Sequence, residues 1–228
     1  KIRGQDGKDK IQLRLDLGLL QMEIDGRPDG KRPHNRQSLF DYYKFLLKKV
    51  IEKYDTDENF VLNSDECLKL YYESIQYYHR YLSFFHLDDY KRAERDTKRN
   101  LEVFDFVENY AASDDDVFLF LQYKPYVIMM NTRARAHIKL DMKDYKKTLR
   151  IVKAGIKAIE DFYKEMDEDS LIESSRELEL LKEMHKNIEK SQPKSKRQRL
   201  QDEMEMAIVS QNYEDAARLR DELKKIKK

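Results

Sequence analysis

The chain has 228 residues, of which 39% are charged and 40% hydrophobic, with a formal net charge of +1. That balance excludes a disordered chain, because 25 of the residues are Tyr or Phe, and it excludes a polyanion binder acting through overall charge. Six glycines, four prolines and a single cysteine, Cys67, point to long elements with few turns, and leave no internal disulfide and no multi-cysteine zinc site.

Residues 1–10 read as a loose polar lead. From Ile11 the pattern alternates: Ile11, Leu13, Leu15, Leu17 and Leu19 are separated by Gln12, Arg14, Asp16 and Gly18. The phase then slips by one residue to Leu20, Met22 and Ile24. Period two predicts an extended segment over 11–24, with a bulge near Gly18 or Leu19 absorbing the slip. A helical reading also exists, since Leu13, Leu17, Leu20 and Ile24 share a helical face. A strand here needs a partner, either a second copy of the chain or its own second half folded back. Asp25 to Pro33, "DGRPDGKRP", is a double turn. It reads as a rigid connector or as an Arg/Asp binding loop.

Beyond it the period is helical. Ser38 is placed to cap a helix carrying Leu39, Tyr42, Tyr43, Leu46, Leu47, Val50, Ile51 and Tyr54. Ser64 or Asp65 should cap the next, which carries the aromatic run Tyr71 to Phe85. That run reads as core or as a recognition groove, and its spacing favours core. Asp88 or Asp89 begins a third helix through Ala93, Leu101, Phe104 and Val107. A fourth spans Asp116 to Leu140, kinked or started by Pro125. A fifth spans Tyr145 to Tyr163 and a sixth Leu171 to Lys190. Then "SQPKSK" marks a linker. The chain thus divides into 1–36, an extended segment with its turn loop, 37–191, a helical domain, and 192–228, a linker with a last helical hairpin.

Two corners repeat. Asp88-Asp89-Tyr90-Lys91-Arg92-Ala93 and Lys143-Asp144-Tyr145-Lys146-Lys147-Thr148 both place Asp and Tyr before two bases and a small residue. The Asp caps a helix, the Tyr wedges between helices and the small residue allows close approach. This resembles a tetratricopeptide repeat. Tyr77 and Phe84 stand at the family's aromatic positions, and Ala136 and Gly155 at its small ones. Tyr81 and Thr132 depart from the pattern, and the corners are 55 residues apart rather than 34. The resemblance implies stacked helical hairpins presenting a surface to a peptide or protein. Asn131 with Arg135, or Arg133 with His137, are the candidate groove pairs, each four apart on one face. The reading as the solvated flank of an amphipathic helix is the favoured one.

The last segment differs. Leu200, Met204, Ala207 and Ile208 form one helical face, and Tyr213, Ala216, Ala217, Arg220, Leu223 and Ile226 another, with Asn212 as the cap between them. Tyr213-Glu214-Asp215-Ala216-Ala217-Arg218-Leu219-Arg220-Asp221 resembles the signature of the UVR (UvrB/UvrC) motif, and Leu200, Met204 and Ala207 its first helix. The resemblance implies association with a protein partner, another such hairpin or a second copy making a homodimer. The motif occurs in excision-repair proteins and also in adaptors and chaperone ATPases outside repair, so the resemblance allows a link to excision repair without by itself implying one. Glu214, Arg218, Arg220 and Asp221 would set partner choice as rim charges, or merely pair locally.

No phosphate loop, dinucleotide fingerprint or metal-ligand spacing occurs, and the five histidines are scattered. We therefore expect a mainly α protein with TPR-like hairpins, a short N-terminal β segment and a C-terminal UVR hairpin. It is expected to be a non-enzymatic adaptor without cofactor or metal. The alternative is a DNA-binding accessory protein, in which Lys194, Lys196, Arg197 and Arg199 contact phosphates. The lone cysteine suits a cytoplasmic setting, and neither a signal peptide nor a transmembrane run is visible.

Overall fold

The computed structural model describes residues 1–193 and 196–225. It divides into two compact units, Lys1–Lys186 and Asn187–Lys228. The fold is mainly helical, with a small antiparallel sheet at the N-terminus.

The sheet has strand order β1 (Ile2–Arg3), β2 (Asp9–Leu15) and β3 (Gly18–Glu23). The slip in the alternation is a hairpin turn, not a bulge. Leu15 pairs with Gly18 across Asp16 and Leu17, so the second half of the segment folds back on the first. The reversal explains the phase change, because it puts Ile11 opposite Met22 and Leu13 opposite Leu20 on one face. The lead is also ordered: Ile2 and Arg3 pair with Lys10 and Asp9.

The double turn anchors this sheet to the helices. Helix α1 (Leu39–Tyr54) starts at Ser38, whose hydroxyl accepts from the Asp41 N–H. Helix α2 (Ser64–His86) is capped by Asn63, one residue before the expected Ser64 or Asp65. Asn63 and Glu66 form a reciprocal capping box. From α2, Arg80 donates through Nη1 to the carbonyls of Glu23 (3.0 Å) and Gly26 (2.8 Å). Its Nε and Nη2 form a bidentate pair with Asp96 at 2.6 and 2.9 Å. Glu73 is fully buried. It accepts from the Leu39 and Phe40 N–H groups at the start of α1 and pairs with Arg27 and Arg99. Within "DGRPDG", Arg27 pairs with Glu73 and Asp29, and Asp25 pairs with Arg92 and Arg95, so this loop ties the sheet to the helices.

Helix α3 (Tyr90–Tyr110) begins at Asp89, with Asp88 in the left-handed region at φ 53°. The expected fourth helix is two: α4 (Asp114–Leu121) and α5 (Lys124–Asp141), with Pro125 in the first turn of the second. Proline suits a first turn because its missing N–H has no partner to lose there. Helix α6 (Tyr145–Glu165) follows Asp144. The expected sixth helix is broken at Ser175 into α7 (Ser170–Ser174) and α8 (Arg176–Ser191). Ser175 has extended ψ of 115° and its hydroxyl accepts from the Leu178 N–H, so it restarts the helix as a cap.

Consecutive long helices pack as α2 on α3, α3 on α5 and α5 on α6. The core joins Phe40, Leu70, Val103, Phe104, Phe120 and Val127 from α1 to α5. The tightest approach is between α5 and α6. A Cβ placed on Gly155 would lie 2.2 Å from Thr132 Oγ1, so glycine is required where this threonine faces it. Cys67 is fully buried, and burial pushes its thiol up to about 12, which keeps it protonated and inert.

Candidate functional site

The C-terminal unit contains α9 (Lys196–Val209) and α10 (Tyr213–Lys225), which pack against each other as a hairpin. Its corner has the same geometry as the two in the body. In each, a left-handed residue (Asp88, Lys143 or Gln211) precedes a capping Asp or Asn. The cap's N–H donates five residues back, to Phe84, Lys139 and Ala207 at 2.8 to 3.0 Å. The cap's carboxylate or amide oxygen then accepts from the N–H three residues on. This closes the preceding helix and opens the next with no glycine in the corner.

Burial separates the signature residues into two sets. Leu200, Ala216 and Leu219 are buried, with Met204, Ala207 and Leu223 half-buried. On α10 the inward positions are thus 216, 219 and 223. Tyr213, Ala217 and Arg220, assigned by periodicity to the same face, are exposed. Leu200, Met204, Ala216 and Leu219 hold the hairpin's shape more than they offer a surface. Glu214, Arg218, Arg220 and Asp221 are exposed. Arg218 pairs with Asp215 at 3.0 Å, and Asp221 is held between Arg220 (3.3 Å) and Lys224 (3.5 Å). The Arg220 guanidinium holds the Asp221 carboxyl below its usual range.

The closed end of the hairpin carries an apolar group that periodicity did not single out. Met206 is 73% exposed, Val209 85% and Tyr213 68%. Ile208, assigned to the inner face, is 48% exposed. Their signal in the sequence is "MEMAIVSQNY", where apolar residues occupy more than one helical face just before a polar turn. Of the candidate phosphate contacts, Arg197 and Arg199 are exposed, Lys194 lies outside the described residues, and Lys196 is described by its backbone alone.

The four groove candidates on α5 do not form one lining. Asn131 is buried, and its Nδ2 donates to Thr97 Oγ1 (3.0 Å) and the Glu94 carbonyl (3.3 Å) on α3. Arg135 lies 4.0 Å from Glu94. Arg133 sits over the Phe85 ring and against the sulfurs of Met129 and Met130. His137 stacks on Tyr90 with ring centres 4.4 Å apart, and burial pushes its pKa down. Asn131, Arg133 and His137 are engaged in packing between neighbouring helices, whereas Arg135 is exposed.

Among the described residues, no cluster of three His, Cys, Asp or Glu side chains could hold a metal ion. Nor is any described helix long and apolar enough to cross a membrane. The geometry therefore defines a mainly helical protein with a separate C-terminal helical hairpin. Residues 194–228 match the UvrB/uvrC motif, abbreviated UVR, which coincides with that hairpin and includes none of the body. No curated protein and no solved structure matches the chain.

Proposed function

We propose that this chain is a non-enzymatic, cytoplasmic adaptor that docks a protein partner through its C-terminal hairpin. The observation that carries the reading is the exposed group Met206, Val209 and Tyr213 at the closed end of a hairpin matching the UVR motif. Three large apolar side chains standing in water at one end of so small a unit favour a partner that covers them. The partner of choice is a hairpin of the same kind, in another protein or in a second copy of this chain. Excision repair is the setting that the motif's name suggests, and the body serves as a TPR-like helical platform. Of the exposed charges, Glu214 lies in the first turn of α10 beside this end and Arg218, Arg220 and Asp221 lie further along the helix; together they contribute selectivity and association rate.

The test is sedimentation velocity of the full chain, alone and mixed with the excision proteins that carry UVR hairpins. Association that Tyr213→Asp abolishes supports the reading. Association unchanged by Tyr213→Asp and Val209→Asp together refutes it.

A further inference from the structure

A cavity of about 450 Å³ opens between α2 and the start of α5, floored by Phe104 and Asn100 of α3. Its volume falls in the range of roughly 300–1,000 Å³ typical of small-molecule sites. Five tyrosines line it: Tyr71, Tyr78, Tyr81, Tyr123 and Tyr126. No Asp, Glu, Lys or Arg does, and the one lining histidine, His79, is held below the ordinary histidine value by burial, so it is neutral at pH 7. Of its other polar groups, the Ser74 hydroxyl is donated to the Leu70 carbonyl. Asn100 is held by the Ser74 carbonyl and by Arg99.

The tyrosine hydroxyls differ. Tyr81 is only 1% exposed; among the described residues its hydroxyl makes no hydrogen bond to protein, yet that oxygen is not fully buried and keeps contact with open space. A buried phenol normally finds a partner, since leaving one unpaired is costly. Tyr78 packs edge-on to Tyr81, with ring centres 5.5 Å apart, and lies 6.2 Å from the Tyr126 ring. Neither Tyr78 nor Tyr126 donates to protein among the described residues, whereas Tyr90 and Tyr110 do, to Asp88 and Asp57. Tyr81 thus belongs to a cluster of three phenols in a chamber whose remaining polar lining groups are Ser74, His79, Asn100, Tyr71 and Tyr123.

We propose that this cavity binds an uncharged aromatic compound carrying one oxygen function, its ring stacked among the tyrosines and its oxygen bonded to the Tyr81 hydroxyl. An anionic ligand would leave water for a chamber holding no cation, which disfavours it strongly. A pure hydrocarbon would fill the space and leave the phenol unpaired. The site is distinct from the C-terminal hairpin and does not depend on its role.

The experiment is a calorimetric titration of the full chain with three probes of one shape: 2-naphthol, naphthalene and 2-naphthoate. The expected result is saturable binding of one 2-naphthol per chain, with naphthalene weaker by about tenfold and 2-naphthoate undetectable. Tyr81→Phe keeps the chamber's shape, so it should weaken 2-naphthol about tenfold and leave naphthalene unchanged. Ile75→Trp, at a half-buried lining position, should fill the space and abolish both. Far-UV circular dichroism of each variant confirms that it is folded before its titration is read. Failure of 2-naphthol to saturate the wild-type chain overturns the proposal and leaves the cavity to a partner's side chain. Equal binding of 2-naphthoate, or equal 2-naphthol binding by folded Ile75→Trp, also overturns it.

Discussion

Replacing Asp96 by Asn tests how the N-terminal sheet is held. Arg80 and Asp96 are each 1% exposed and joined by two bonds, and Arg95 donates to the same carboxylate at 2.9 Å. Asparagine keeps nearly the same shape but removes the charge, leaving the Arg80 guanidinium buried and uncompensated. Breaking a buried pair this way costs about 3–5 kcal/mol. For a body of this size that corresponds to a fall of roughly 1–2 M in the urea midpoint. The assay is urea unfolding followed by far-UV circular dichroism, with hydrogen exchange at β2 and β3 as a local readout. Arg80 also fixes the Glu23 and Gly26 carbonyls. Exchange in the hairpin should therefore quicken even under conditions where the helices stay folded. The double variant Arg80→Met with Asp96→Leu removes both charges and should recover part of the loss. It should still show fast exchange in the hairpin, because the two carbonyls remain unpaired. A loss below about 1 kcal/mol in Asp96→Asn would refute the reasoning.

Gly155→Ala should destabilise the body by about 1–3 kcal/mol, because its Cβ would lie 2.2 Å from Thr132 Oγ1, and Thr132→Ala should recover part of that in thermal melts. Leu219→Ala, at a position 7% exposed, should cost the hairpin about 2–3 kcal/mol and quicken exchange in α9 and α10. Tyr213→Asp, at a position 68% exposed, should leave the same exchange unchanged. Stability should fall as pH drops below about 6.5, the ordinary histidine value. Burial holds His79 and His137 below that value in the folded state, so the unfolded chain binds the extra protons over that window. His79→Gln with His137→Gln should flatten the fall in denaturation midpoint between pH 7 and 5.

What the sequence makes legible is local chemistry. Ser38, Asp89, Asp144 and Asn212 are read as caps because their oxygen satisfies a free N–H within three residues, and each does so. Asn63 is missed because Asn, Ser and Asp cap about equally well, and only the reciprocal bond with Glu66 decides among Asn63, Ser64 and Asp65. The β2–β3 turn is hidden because Asp16-Leu17 lacks the Asn-Gly or Asp-Gly signature, and neither residue adopts positive φ. β1 is too short to show any period. The break at Ser175 is silent because serine interrupts a helix only when its hydroxyl is recruited as a cap.

The polar residues of α5 show a different limit. Asn131 looks like a surface group by spacing, yet it is buried because Thr97 and the Glu94 carbonyl, more than 30 residues earlier, meet both of its hydrogens. Residues of the hairpin divide in the same way. Ala216 and Leu219 follow the motif inward, whereas Met206 and Val209 lie on faces that periodicity treats as solvent. Which exposed apolar residues matter depends on where the corner at 210–212 brings the chain back. That is set by the left-handed Gln211, and no composition rule marks it.

Affinity capture on the immobilised full chain most directly tests the claim that the hairpin's closed end is the docking surface. It should be quantified by mass spectrometry against a Val209→Asp, Tyr213→Asp variant of equal melting temperature. The account predicts that UVR-bearing proteins, or further copies of this chain, are retained by the wild type and lost by the variant. Equal retention by both would contradict it.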